Sequence, residues 1–189
     1  MTAETLIWLI PLPPLLAFGL IVLFTNRSKV WSHTIAIGGA AISWLLSMII
    51  FITAVGRSDL TQEPLRSAIN WLPTGKGYLQ MGIQIDNLSA VVLFFVAWTI
   101  LMIFIYSVGY QNFGQPKGDH DVAGKPPHGA TITDTAGHSH MVPSVEPMYS
   151  RFFAFLSLFA FAMYLLVICD NLLLLYVGWE IMGLCSYLL

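Results

Sequence analysis

Apolar residues gather into five long runs separated by short polar links, and the period within the runs is too continuous for an amphipathic surface helix. The first run covers residues 6–24, with Pro11, Pro13 and Pro14 in its first half. These prolines predict a bent or partly unwound opening, since each removes a backbone donor. A secretory leader is the competing reading of this run. Glu4 and the lack of Lys or Arg before the apolar stretch weigh against it. The second run, 34–55, contains Gly38-Gly39-Ala40-Ala41, small residues suited to close helix packing. The third is 88–108, the fourth 152–169, and the fifth starts at residue 172 and reaches Leu189 with no flanking charge. The expected fold is an all-α polytopic membrane protein with about five transmembrane helices. The abrupt end of the fifth run also leads us to expect a fragment or an incomplete sequence.

One link breaks the helical pattern. Leu79, Met81, Ile83 and Ile85 alternate with Gln80, Gly82, Gln84 and Asp86, and the turn-forming Pro73-Thr-Gly-Lys-Gly77 precedes them. Period two after a turn predicts a small β-hairpin, about residues 66–86, in the link between the second and third runs. Asp86-Asn87-Leu88 and Asp170-Asn171-Leu172 then open the third and fifth helices, and both pairs are read as N-caps. The link 111–149 is rich in Pro, Gly, Asp and His without a periodic pattern, and a disordered or loose cytoplasmic loop is expected there. The chain thus divides into a membrane region 1–110, this loop, and a second membrane region from 150.

Composition agrees: 57% of residues are hydrophobic and 10% charged, against about a quarter charged in soluble domains. The net charge of −2 and the absence of a basic patch argue against a nucleic-acid partner and leave the lipid bilayer as the surrounding phase. Arg27, Lys29, Lys117, Lys125 and Arg151 fall in the links after the first and third runs, whereas Arg57, Arg66 and Lys76 on the opposite side are offset by Asp59, Glu63 and Asp86. This bias predicts an N-terminus outside, and the chain is expected to be a multi-pass protein of the cell's inner or plasma membrane. Cys169 and Cys185 lack metal or redox spacing and read as small buried hydrophobes. His120, His128, His138 and His140 offer nitrogen ligands, yet nothing in their loop supplies a scaffold, so no metal site is expected. No glycine-rich nucleotide loop, zinc signature or iron–sulfur cysteine set occurs, and no cofactor is expected to bind this chain.

The sharpest chemical feature is Glu180. Its run, residues 172–189, is otherwise apolar, small or uncharged. Eight residues beyond Leu172 place the carboxylate roughly 12 Å along the helix. That is near the middle of a hydrocarbon core about 30 Å thick. A charge at that depth costs about 2.5–3.5 kcal/mol by insertion scales, which makes such a residue a functional candidate. The competing reading is a protonated Glu that only hydrogen-bonds a neighbouring helix. Tyr176, Glu180, Gly183 and Tyr187 share one helical face, a stripe suited to a proton relay. No Lys or Arg occurs inside the five apolar runs, so a cationic partner must come from elsewhere.

At Tyr149-Ser-Arg-Phe-Phe-Ala-Phe, Asp170-Asn-Leu-Leu-Leu-Leu-Tyr-Val-Gly-Trp-Glu180 and Gly183-Leu-Cys-Ser-Tyr-Leu-Leu189, the chain closely resembles chain 5 (subunit L) of respiratory complex I. Ile85-Asp86-Asn87-Leu88-Ser89-Ala90 resembles the opening of that family's third helix. The resemblance implies an antiporter-like membrane-arm subunit of the proton-translocating NADH:quinone oxidoreductase. It implies that Glu180, preceded by Trp179, pairs with a lysine on a later helix and relays protons. NADH, flavin, iron–sulfur clusters and quinone are then expected in other subunits, and the partners are the other membrane-arm subunits. The link 111–149 is longer than the family's usual loop, and the lysine-bearing helices are not in this sequence. The large subunit of a multisubunit cation/proton antiporter shares the Trp-Glu helix and is the alternative. A non-transporting scaffold or gene remnant is a further one.

Overall fold

The computed structural model describes residues 3–60, 62–75, 77–110, 131–133, 135–141 and 148–189. They form two compact units, one made of residues 1–104 and 150–189, the other of 105–149.

In the first unit the opening run is split in two. Helix α1 (Ala3–Leu9) and helix α2 (Leu12–Leu20) meet at the prolines, and α2 continues into a wide π-type turn over Ile21–Thr25. Proline at 11 and 14 leaves the carbonyls of Ile7 and Ile10 without their usual helical donors. The Ile7 carbonyl accepts instead from the Ile10 N–H at 3.2 Å, and the Ile10 carbonyl accepts from the Ser43 hydroxyl at 2.6 Å. A break in an apolar helix is tolerable only because a neighbouring helix supplies that donor.

The donor sits on helix α3 (Lys29–Val55), the longest element, whose buried face carries Ser32, Ala36, Gly39, Ala40, Ser43, Ser47, Ile50 and Ala54. The small side chains are what the close approach requires. A Cβ on Gly39 would stand 3.0 Å from the Pro13 carbonyl oxygen, whereas space beside Gly38 is open. Of the glycine pair, Gly39 makes the contact with α2.

Strands β1 (Leu65–Thr74) and β2 (Gly77–Ile85) pair antiparallel, from Leu65 opposite Ile85 to Thr74 opposite Gly77, with an irregularity between Asn70 and Leu72. Gly75, at φ +61°, takes the left-handed conformation of the turn. The expected hairpin is therefore present, and Trp8 of α1 donates its indole N–H to Ser67 of β1 at 3.1 Å. Helix α4 (Asn87–Tyr110) follows and packs on α3 through an edge-on Trp44–Trp98 pair at 4.8 Å and a Phe51–Phe94 pair at 4.7 Å.

Helix α5 (Tyr149–Ile168) is the most enclosed spanning helix, half of its apolar stretch lying inside the protein. Phe155 meets Phe18 of α2 at 6.3 Å, Phe153 meets His33 of α3 at 6.1 Å, and the Ser150 hydroxyl lies 3.0 Å from that of Ser32. Helix α6 (Leu172–Leu188) completes the unit.

Among the described residues, four stretches are long and apolar enough to cross a membrane: Glu4–Thr25, Lys29–Val55, Asn87–Tyr110 and Tyr149–Ile168. Helix α6 is apolar but shorter, at 17 residues. The architecture is that of a polytopic helical membrane protein with the β1–β2 hairpin between its second and third spans.

The second unit corrects one expectation. Within the link read as a loose loop, Thr131–Thr133 (β3) pairs antiparallel with Ser139–Met141 (β4), Thr131 opposite Met141. The Thr-Ile-Thr triplet is β-branched throughout, and Gly137 at φ +86° turns the chain, two local signals that the Pro- and Gly-rich surroundings masked. Residues 111–130 and 142–147, with His120 and His128, lie outside the described residues.

Candidate functional site

Helix α6 is held on one face and open on the other. Leu174, Gly178 and Cys185 are its buried residues. Gly178 is the point of closest approach, since a Cβ there would stand 3.3 Å from the Ala162 carbonyl oxygen and 3.4 Å from the Leu166 nitrogen of α5. Glu180 follows Gly178 by two residues, a rotation of about 200°, and so points away from α5. Tyr176, Glu180, Gly183 and Tyr187 all lie on this exposed face, with Tyr176 56% and Tyr187 85% accessible. Trp179, beside Glu180, is also exposed.

Tyr176 stands one helical turn before Glu180 on the same open face. At Gly183 no atom comes within 4 Å of where a Cβ would be. The stripe is thus a continuous open face with a carboxylate at its centre. The tight glycine of this helix, Gly178, lies on the face opposite Glu180. Its position in Tyr-Val-Gly-Trp, inside an otherwise bulky apolar run, was the available signal.

At the start of α6 the chain makes a polar corner. Asn171 is the N-cap, its side-chain oxygen accepting from the Leu174 N–H at 2.9 Å. Its amide nitrogen lies 3.2 Å from the Gln80 carbonyl and 2.8 Å from Oδ1 of Asp170. Asp170 does not cap the helix, contrary to the N-cap expectation. Its Oδ2 accepts from Nε of Arg66 at 3.0 Å and pairs with the second guanidinium nitrogen, also at 3.0 Å. Its own N–H donates to the Gly82 carbonyl at 3.1 Å, and Cys169 forms a single β-bridge with Ile83. The corner between α5 and α6 is therefore stitched to the hairpin. Gly82 leaves room for the Asp170 carboxylate, which a Cβ at that position would displace.

Sequence reading placed neither Arg66 nor Gly82 at a site. A glycine within an alternating strand does signal close backbone approach, and that signal was legible. The partner of Arg66 is 104 positions away, and only the fold brings them together.

At the start of α4 the Oδ1 of Asp86 accepts from the Ser89 N–H at 2.7 Å, and that bond holds its carboxyl below the usual carboxylate range. Asn87 is the first helical residue. The two Asp-Asn pairs are thus out of register, Asp capping in the first and Asn in the second.

Among the described residues no group of three or more His, Cys, Asp or Glu side chains converges as a metal site would require. Cys185 is fully buried and Cys169 half-buried, and both are free thiols.

Four stretches long and apolar enough to span, with a mid-helix carboxylate on an open face, define a polytopic membrane protein. A family model described as NADH-Ubiquinone oxidoreductase (complex I), chain 5 N-terminus, matches residues 71–112, which hold most of the hairpin and all of α4. NADH-quinone oxidoreductase subunit L of Mycobacterium tuberculosis is 29% identical over 182 residues, 96% of this chain and 24% of that protein. Subunit L of Neisseria meningitidis serogroup B is 30% identical over 190 residues, 100% of this chain and 23% of that protein. The chloroplastic NAD(P)H-quinone oxidoreductase subunit 5 of Zygnema circumcarinatum is 29% identical over 186 residues, covering 97% and 22%. The chain is a relative of the complex I chain 5 / subunit L family along nearly all of its length. It spans about a quarter of the length of the curated relatives it matches.

Proposed function

We propose that this chain forms part of a membrane-arm subunit of an NADH:quinone oxidoreductase and contributes to proton translocation coupled to electron transfer from NADH to quinone. Glu180 is the intramembrane relay carboxylate. The observation that carries this reading is the placement of Glu180 midway along α6, turned from α5, with Tyr176 one turn before it and open space at Gly183 one turn after. A carboxylate kept at that depth without a basic residue beside it has its proton affinity governed by whatever cation approaches the open face. A lysine on another helix, moving toward or away from Glu180, would unload or load its proton. Tyr187 and Trp179 flank the same face, Tyr187 as a second hydroxyl and Trp179 as an amphipathic wall.

Electron transfer belongs to partner subunits that hold NADH, flavin, iron–sulfur clusters and quinone. The membrane-arm neighbours supply the helices that cover the α6 face. In the membrane, the links bearing Arg27, Lys29 and Arg151 lie on the cytoplasmic side, with the N-terminus and the hairpin outside.

Replacing Glu180 by Gln in the assembled complex tests the reading. The amide fills the same space and still forms hydrogen bonds, so assembly and NADH oxidation persist. Proton translocation falls sharply, because an amide cannot carry the proton. Moving one charge against 100 mV costs about 2.3 kcal/mol, so the defect is largest under load. Equal translocation by the E180Q variant and the parent at high membrane potential overturns the proposal.

A further inference from the structure

We propose that Arg66 and Asp170 form a latch between the hairpin and the start of α6, and that this latch sets the placement of Glu180. Both are positioning residues. The last step rests on the reading of Glu180 as a relay; the latch itself does not.

A continuous set of bonds leads from β1 to the first turn of α6. The Arg66 guanidinium holds Oδ2 of Asp170, Oδ1 faces the Asn171 amide nitrogen, and Asn171 caps the Leu174 N–H. Two backbone contacts with β2 reinforce it, from Asp170 N–H to Gly82 and from the Asn171 amide to Gln80. Helix α6 is thereby fixed at its first turn by the hairpin and near its middle by Gly178 against α5. Two such points determine both the depth and the rotation of a straight helix. Glu180 stands two residues past the second point, so release of the first lets the helix turn or slide about Gly178 and moves the carboxylate.

The pair is asymmetric in a way that makes the latch testable. The Arg66 side chain is 60% exposed, and that of Asp170 only 3%. A freely exposed ion pair contributes little. Here, removing Arg66 leaves an enclosed carboxylate without its cation, which is worse than removing both charges. The latch therefore predicts an order of effects, with Arg66→Gln more damaging than Arg66→Gln combined with Asp170→Asn. A pair that merely decorates the surface produces no such order.

The experiment compares R66Q, R66K, D170N and R66Q/D170N in the complete membrane complex, with E180Q prepared alongside. Amide hydrogen exchange over residues 77–85 and 169–175 reads the latch, and the pH profile of proton translocation reads Glu180. Exchange in R66Q should rise about tenfold, local opening being governed by such tertiary contacts. R66Q/D170N should exchange more slowly than R66Q, and R66K should lie near the parent because it keeps a cation. The pH profile of R66Q should shift while NADH oxidation continues. Unchanged exchange in R66Q, or a double variant looser than R66Q, overturns the latch. Raised exchange with an unmoved pH profile overturns its link to Glu180. Full translocation by E180Q beside raised exchange in R66Q removes the relay reading and leaves the latch standing. Loss of translocation in E180Q beside unchanged exchange in R66Q does the reverse.

Discussion

Asp86-Asn87-Leu88 and Asp170-Asn171-Leu172 bring the same three side chains to the start of a membrane helix, one at each end of a long stretch of chain, and the molecule uses them one residue out of step. At α4, Asp86 turns inward to cap the helix and Asn87 already has helical backbone. At α6, Asn171 takes over the cap, which frees the Asp170 carboxylate for Arg66. The difference lies in what precedes each triplet. Asp86 is the single residue between β2 and α4, so the carboxylate has only the first turn of its own helix to serve. Asp170 follows the end of α5, where the hairpin passes alongside and offers a backbone carbonyl at Gly82 and a guanidinium at Arg66. A local motif thus acquires a tertiary function when a second element lies within reach. The first corner holds one helix, whereas the second holds a helix and a hairpin together.

Gly82→Ala should break the comparison most severely. The new methyl group occupies the space of the Asp170 carboxylate, which must leave its place beside Arg66 and so loosens the tie between the hairpin and the α6 corner. Overpacking of this kind typically costs about 1–3 kcal/mol. Loss of the protected hairpin amides by hydrogen exchange, with α4 still protected, is the expected result. Unchanged protection would show that the corner yields easily.

A smaller effect separates the caps themselves. Asp86→Ala and Asn171→Ala should each destabilise by about 0.5–2 kcal/mol through the lost cap. Asn171 also reaches Gln80 and Asp170, so its replacement should loosen the hairpin as well, whereas Asp86→Ala should leave the α6 corner intact. Exchange measured separately at 87–90 and 171–175 distinguishes the two patterns.

Acid should produce the mildest difference. The Asp86 carboxyl is held below its ordinary value of 3.8 by the Ser89 N–H, so its contribution is fully present above 3.8 and is lost as pH falls through the lower folded value. An amide does not titrate, and the Asn171 cap bond itself should persist over the same range. Faster exchange at 87–90 on acidification, absent in Asp86→Asn, checks the sign.

Several of these features follow from local chemistry and were legible along the chain. The apolar runs are long because a bilayer demands about 20 residues per helix, and that demand is written in composition alone. The hairpin was legible because period-two alternation between turn residues admits few other structures. Glu180 stood out because an ionisable residue in an apolar run is costly anywhere along it. The break at the prolines was legible too, since the missing donors belong to the residues themselves. These are properties of a segment and its solvent, and they hold before any two segments meet.

Pairing was decided only by the tertiary structure. Nothing local tells Ser43 to supply the hydroxyl that the Ile10 carbonyl lacks, or Arg66 to find Asp170 across 104 positions. The identical triplets show the limit most plainly, because sequence alone gives Asp86 and Asp170 the same capping propensity. Which carboxylate caps depends on the neighbour that competes for it, and at Asp170 an ion pair on the enclosed carboxylate, with two flanking bonds, outweighs one N-cap that Asn171 can make equally well. The face of α6 that carries Glu180 was likewise periodic in the sequence. That it is the open face, with Gly178 on the packed one, follows from how closely α5 approaches, and steric contact of that kind exists only once the helices are assembled.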